Sequence, residues 1–423
     1  VGSEMCIRDR LTGDQQKAVD EILEDLKSDS RMNRLLQGDV GSGKTIVSFI
    51  AMYANYLSGF QSALMAPTEI LAVQHYNNLK EFLKGEDVEV ALLTGSTPKK
   101  EKQMIYSELK DGSINMVIGT HALIQEEVEY QNLGLVITDE QHRFGVNQRA
   151  NLQNKGVRPD ILYMSATPIP RTYALTIYGD MDMSIIKERP KGRGHITTYL
   201  KKNDEIKDVL EMMFKELKAG HQVYVIAPLI EDVENSELAT VCNLKDQMTL
   251  AFGKNFKIDI IHGKMASGAK DLIMQEFAQG SIQILISTTV IEVGVDVSNA
   301  TTMVIFDANR FGLSTLHQLR GRVGRGSFES QCILISDSDA KRLEIMKNVD
   351  DGFVISEEDF KLRGHGDLFG TKQSGDMEFK IANLKDDYKI LLQAKKDSME
   401  YLKNKKDEEE KLKKTLIASI NNA

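Results

Sequence analysis

A chain of 423 residues is too long for one hydrophobic core and implies two or three domains. Its apolar and charged fractions, 41% and 27%, are those of a globular protein. No apolar run nears the ~18–20 residues that span a bilayer, which argues against a membrane protein. The net charge of −9 excludes indiscriminate adhesion to DNA over the whole surface but leaves room for a local basic groove. Cys6, Cys242 and Cys332 lie far apart with neither metal nor disulfide spacing, so a reducing cytoplasm is expected. Tryptophan is absent and aromatics are few, so any grip on DNA rests on backbone contacts more than on base stacking.

Val1–Arg10 has no periodicity and is expected to be unstructured or artefactual. From Leu11 the pattern is regular. Thr12 can cap a helix whose apolar positions Val19, Ile22, Leu23 and Leu26 recur at helical spacing. A strand ending in Leu35 and Leu36 and a helix over Ile46–Ala54 then flank Gly38-Asp39-Val40-Gly41-Ser42-Gly43-Lys44-Thr45. That stretch fits G-x-x-x-x-G-K-[ST]: the glycines let backbone N–H groups face inward as an anion cradle, Lys44 reaches outer phosphates, and the Thr45 hydroxyl can hold Mg²⁺.

Strands are predicted at Ser62–Ala66, Val88–Leu93, Met116–Gly119, Leu133–Thr138 and Ile161–Met164, with an amphipathic helix over Ile70–Leu83. Near-continuous apolar strands separated by helices predict a parallel sheet covered on both faces. Arg189–Gly194 is the linker candidate. Beyond it the pattern restarts with strands at Ile196–Leu200, Gln222–Ala227, Ile258–Ile261, Ile282–Ser287, Thr302–Phe306 and Gln331–Ile335. Helices are predicted there over Ile206–Leu217 and Ala269–Phe277. This second unit has no phosphate loop of its own. From about Lys341 the strands stop, and a Gly-rich loop at Leu362–Gly375 precedes a Lys/Glu-dense helical tail, Asp387–Ile417.

The chemical motifs fall at predicted strand ends, where ligands of parallel sheets collect. Asp139-Glu140-Gln141-His142 follows one strand and reads either as an acidic loop cap or as an Mg²⁺-holding carboxylate beside a water-orienting one. Its pairing with the phosphate loop favours the catalytic reading. Ser165-Ala166-Thr167-Pro168 either senses phosphate through its hydroxyls or is a turn set by Pro168. In the second unit, Gln318-Leu319-Arg320-Gly321-Arg322-Val323-Gly324-Arg325 gives guanidinium groups room to enter a phosphate site across a cleft.

Taken in order with Leu11–Gln15, Ala66–Ala72, Thr94–Ser96, Gly119–Ala122, Arg143–Val146, Ile261–Met265 and Thr288–Asp296, these motifs resemble the superfamily 2 helicase series, and in detail the RecG-type DNA helicases. The resemblance covers Leu11 to about Leu384. It implies an α/β fold of two RecA-like parallel-sheet domains in tandem plus a small, mostly helical C-terminal region. The expected domains are an N-terminus at 1–10, a first RecA-like domain at 11–190, a second at 191–342, and a translocation hairpin with helical tail at 343–423.

The resemblance also implies site residues. Gln15 would read adenine, with Gly38, Gly41, Ser42, Gly43, Lys44, Thr45, Gly294 and Asp296 on ATP. Thr45 and Asp139 would hold Mg²⁺. Lys44, Glu140, Gln318, Arg322 and Arg325 would form the catalytic set, the last two as arginine fingers. His142, Ser165 and Thr167 would couple hydrolysis to movement. Pro67, Thr68, Thr94, Gly95, Thr120, His262, Thr288 and Thr289 would line the DNA path, mostly at phosphates, which suits binding without sequence preference.

Leu362–Gly375, with Arg363 and Gln373, resembles the translocation motif that RecG shares with the transcription-repair coupling factor, although His365 stands where proline is usual. The implied function is an ATP-dependent double-stranded DNA translocase. It would act on branched or duplex DNA, by fork regression and Holliday junction migration, as a bacterial, cytoplasmic, nucleoid-associated monomer off the membrane. Relatives carry an N-terminal OB-fold wedge that this sequence does not show before Leu11, so a motor portion is expected. Alternatives are a coupling-factor motor and a nucleotide-dependent DNA clamp that does not translocate.

Overall fold

The computed structural model describes residues 11–140, 155–156, 159–166, 181–188, 194–227, 236–288, 297–326, 328–338 and 341–363, with short stretches between 390 and 401. The chain divides into two compact units. One, Val1–Pro168 with Asp182–Leu362, holds two sheets; the other is Ile169–Met181 with Arg363–Ala423, whose described residues are mostly helical. Among the described residues no helix is long and apolar enough to cross a membrane.

The first sheet has seven strands: β1 (Asn33–Gly38), β2 (Gln61–Met65), β3 (Val90–Leu93), β4 (Met116–Gly119), β5 (Leu133–Thr138), β6 (Asp160–Ser165) and β7 (Asp182–Ile186). They lie in the order β3-β4-β2-β5-β6-β1-β7. The second has six: β8 (Ile196–Lys201), β9 (Gln222–Ile226), β10 (Ile258–Ile261), β11 (Ile284–Ser287), β12 (Ala300–Ile305) and β13 (Ser330–Ile335). Their order is β10-β11-β9-β12-β13-β8. The strand pairs are parallel in both sheets.

The two-residue period of the strands sends successive side chains into different cores. Leu64, Leu135 and Ile137 pack with Val47 and Met52 on one side of the first sheet, while Ala63, Met65 and Val136 pack with Ile105 and Leu109 on the other. Tyr224 and Ile226 of β9 likewise separate from Val223 and Val225. Burial on both faces explains the near-continuous apolar strands.

Two predicted strands begin late, and for one reason. The Glu89 carbonyl accepts from both Asn115 N (3.0 Å) and Met116 N (3.1 Å), which interrupts the ladder, so β3 starts at Val90 rather than Val88. The Lys257 carbonyl does the same for Gln283 N and Ile284 N, and β11 starts at Ile284 rather than Ile282. The short strand β7 and the helix Ser236–Phe252 carried no prediction.

The sheets share a further device. Gln61 and Gln222 are buried at the start of β2 and β9. The Gln61 amide donates to Leu109 O (3.0 Å) and Ile114 O (2.7 Å), and its carbonyl accepts Asn132 N (2.9 Å). Gln222 donates to Phe277 O and to Ile282 O (2.7 Å), at the same spacing after the corresponding helix. Each glutamine satisfies carbonyls where a helix hands over to the next strand. Gln222→Ala should take the donor from Ile282 O, leave Phe277 O with Gly280 N alone (3.0 Å), and cost about 1–2 kcal/mol of unfolding free energy in denaturant titration. A change of only a few tenths would show that the amide pins nothing.

Candidate active site

β1 ends at Gly38, where a Cβ would strike Ser42 Oγ and lie 3.1 Å from Ile186 O of the neighbouring β7. Only glycine lets the two backbones close there. Gly43, at φ +86°, caps the helix Lys44–Leu57 without any side-chain cap bond, and left-handed backbone there favours glycine. The N–H groups of that first turn are therefore open to an anion, with the helix dipole behind them. Ser42 Oγ is buried with no hydrogen-bond partner in the structure. Uncapped donors, glycine-only space and an orphan hydroxyl fit a nucleotide phosphate.

Lys44 Nζ donates to Gly38 O (2.8 Å) and Asp39 O (3.0 Å). Burial lowers its pKa against the opposing pull of Glu140, Asp139 and Asp39. Gln15 closes a capping box with Thr12, its carbonyl accepting Thr12 N at 2.9 Å, while its amide donates to Ser42 O at 2.8 Å. Both ends of the residue expected to read adenine are thus engaged, one of them on the phosphate loop.

Asp139 and Glu140 follow β5. Burial alone would raise the Asp139 pKa; the His75 hydrogen bond and the charges of His75 and Lys44 hold it below the ordinary carboxylate range. Glu140 sits at φ +50°, an uncommon conformation for a side-chain-bearing residue and typical of functional turns. Burial, and then the Asp139 charge, push its pKa up.

The second sheet supplies the helix Leu313–Arg320 and the arginines after it. Arg322 and Arg325 line one cavity of about 960 Å³ together with Lys44, Thr45, Asp139 and Glu140. The Arg322 charge acts on Glu140 and that of Arg325 on Lys44. Gly321 fits against the phosphate loop so closely that a Cβ would lie 3.0 Å from that of Val40. Gln318 is buried on the same helix but does not line this cavity. Thr45, Asp139 and Glu140 offer hard oxygen donors suited to Mg²⁺. Among the described residues no group of three or more His, Cys, Asp or Glu is arranged to hold a metal ion by itself.

The expected DNA-path residues gather at the carboxyl edges of the sheets. Pro67 and Thr68 follow β2, Thr94 and Gly95 β3, Thr120 β4, Ser165 ends β6, His262 follows β10 and Thr288 β11. Thr94, Thr120 and Thr288 are buried, whereas Gly95 is exposed and Pro67, Thr68 and His262 are half-buried. His142, Thr167, Thr289, Gly294, Asp296, Gln373 and the Arg363 side chain lie outside the described residues.

Two histidines of the site carried no sequence expectation of their own. His75 Nε2 lies 2.9 Å from Asp139 Oδ2. His75 shares a buried helix face with Ala72 and Leu79, and a polar residue in an apolar stripe was the available signal. His317 Nε2 lies 2.6 Å from Asp39 Oδ1, joining the two sheets' elements through the phosphate loop. Arg320 in turn donates to Met346 O (2.8 Å) and Val349 O (3.0 Å) and lies 3.2 Å from His317 Nδ1.

Two parallel-sheet domains that close a phosphate cradle with arginines define the helicase class of nucleotide-driven motors. Family models for the DEAD/DEAH box helicases match residues 12–175, and for the helicase conserved C-terminal domain residues 201–327. The model for the C-terminal part of domain 3 of the ATP-dependent DNA helicase RecG matches residues 349–419. The chain belongs to the RecG family of ATP-dependent DNA helicases. It is 52% identical to RecG of Bacillus subtilis over 92% of this chain and 58% of that protein. With RecG of Streptococcus pneumoniae it shares 51% identity over 91% of this chain and 58% of the relative. A solved structure of RecG bound to a three-way DNA junction superposes with TM-score 0.77 at 45% identity, covering 90% of this chain and 50% of the other. The chain thus spans little more than half the length of these relatives.

A raised pKa means that Glu140 takes up a proton above the ordinary carboxylate range as pH falls. Nucleotide turnover should therefore begin to decline, as pH falls, before an ordinary carboxylate would protonate. Glu140→Gln should remove turnover at every pH with nucleotide binding largely kept. A wild-type profile that stays flat into the ordinary carboxylate range would exclude Glu140 as the ionised group.

Proposed function

We propose that this chain is the motor of an ATP-dependent DNA helicase, a double-stranded DNA translocase acting on branched DNA in recombination and repair. The observation that carries this reading is the single cavity lined by Lys44 and Thr45 from the first sheet's phosphate loop and by Arg322 and Arg325 from the second. Fork regression and Holliday junction migration are the proposed outcomes, and the relative solved on a three-way junction supports branched DNA as substrate.

In this reading the loop N–H groups and Lys44 hold the nucleotide phosphates, with Gln15 bracing the loop through Ser42 O. Thr45 and Asp139 hold Mg²⁺, which when bound neutralises charge on the outer phosphates. Glu140 orients and deprotonates the attacking water. Arg322 and Arg325 stabilise charge on the transferred phosphoryl group, so the cleft is favoured closed with ATP and open after hydrolysis. Pro67, Thr68, Gly95 and His262 contact DNA phosphates, giving affinity without sequence preference. The boundaries proposed are 11–190 and 191–342 for the two motor domains and 343–423 for the translocation region, working as a monomer.

Turnover measured with and without duplex or three-way-junction DNA tests the proposal. Wild type should be stimulated by DNA, and Lys44→Ala should lose hydrolysis in a protein that still folds, its melting temperature lowered because buried carboxylates and two loop carbonyls lose their partner. Hydrolysis at the wild-type rate in that variant would refute the site. Arg325→Ala should cut turnover by a factor on the order of 10³ with a much smaller loss of nucleotide affinity, since a finger acts in the transition state. Equal losses in both would make Arg325 a ground-state contact.

A further inference from the structure

The helix Glu69–Phe82 joins two places that the mechanism leaves separate. Its first end lies at the candidate DNA path. Thr68 caps it, accepting Leu71 N at 3.3 Å, and Glu69 receives Ser96 N (3.0 Å) and Ser96 Oγ (2.6 Å). Glu69 also sits against Gly95, where a Cβ would come within 2.8 Å of its Oε1. The loops after β2 and β3 are therefore fastened to one helix N-terminus.

Two turns later the same helix presents His75 to Asp139. The imidazole is 4% exposed, and its Nε2–H donates to Asp139 Oδ2, because the depressed carboxylate is an acceptor. Phe49 packs edge-on to the ring, with centroids 6.5 Å apart at 84°, which restricts its rotation. The other ring nitrogen is buried with no hydrogen-bond partner in the structure. An orphaned buried nitrogen costs free energy, and nothing on that side of the ring repays it. Asp139 Oδ1 accepts Glu140 N at 3.0 Å, so both carboxylate oxygens have fixed donors. A helix is stiff over two turns, so a displacement at Thr68 and Glu69 is carried to the His75 ring with little loss.

We propose that His75 is a positioning residue that transmits DNA occupancy of the Thr68–Gly95 path to the metal-holding carboxylate, so that DNA raises hydrolysis by settling Asp139. This rests on the motor reading above, and it adds a route from DNA to chemistry that lies wholly in the first sheet's domain. Asp139 is the group that acts on the metal; His75 acts through it.

The test uses the full 423-residue chain, with His75→Ala and His75→Gln. Glutamine keeps an N–H donor at the reach of Nε2. Mn²⁺ binding to the nucleotide-loaded protein, read by electron paramagnetic resonance with and without duplex DNA, reports on the carboxylate without turnover. In wild type, DNA should tighten Mn²⁺ binding and stimulate hydrolysis. His75→Ala should reduce both effects roughly tenfold with unchanged DNA affinity, and His75→Gln should restore most of each. Full DNA stimulation and wild-type Mn²⁺ binding in a folded His75→Ala protein would overturn the proposal, and so would a glutamine variant as impaired as alanine. Wild type that neither hydrolyses ATP nor binds DNA would instead overturn the motor reading itself, an outcome visible before any His75 variant is made.

Discussion

The structure depends on a positive charge held out of water. Lys44 lies buried within reach of Asp39, Asp139 and Glu140, and burial works against its charged form while the three carboxylates work for it. A cation in that position is expensive unless it is paired and hydrogen-bonded, and here it also donates to two backbone carbonyls of the phosphate loop. The loop, the acidic turn and the helix Lys44–Leu57 are thereby held in one mutual geometry. Against its burial, the His75 hydrogen bond and charge, with Lys44 behind them, hold Asp139 below the ordinary carboxylate range, whereas burial and then the Asp139 charge push Glu140 up. Two adjacent carboxylates acquire different acidities from their surroundings alone, which separates a metal-holding role from a base.

Parallel strands bring the rest of the chemistry to the same edge. In the first sheet β1 lies beside β6, and β6 beside β5, so the phosphate loop, Ser165 and Asp139 leave adjacent strand ends. Gly321 and His317 then reach this edge from the other sheet's domain, where Gly321 packs tightly on Val40, a Cβ there lying 3.0 Å from the Val40 side chain. Groups from the two domains thus meet through one close packing contact and one short side-chain hydrogen bond, which bring Arg322 and Arg325 to the same cavity.

The phosphate loop, the acidic pair and the arginines were legible because each is a local string with its own spacing, and the parallel sheets because their strands are apolar on both faces. What escaped were contacts without a local trace. His75 lies 64 positions from Asp139 and His317 lies 278 from Asp39, and nothing in either flanking sequence names the partner. β7 escaped for a related reason: Asp182, Met183 and Ser184 carry no alternation, and the strand exists because β1 offers it a partner edge. The buried threonines at 94, 120 and 288 show the converse limit, since a motif places a residue at an edge without saying which way its hydroxyl faces.

The pairing of β7 with β1 has a mechanical consequence. Ile186 sits opposite Gly38, the first glycine of the phosphate loop, and the next two residues, Lys187 and Glu188, donate their N–H groups to Asp14 at 2.8 and 3.0 Å. Asp14 is the neighbour of Gln15, whose amide holds the loop from the other side. The chain therefore departs for the second sheet from the rim of the nucleotide site itself. Under the proposed motor reading, the nucleotide's occupancy of the loop would be felt first at the point where the chain leaves for the second sheet.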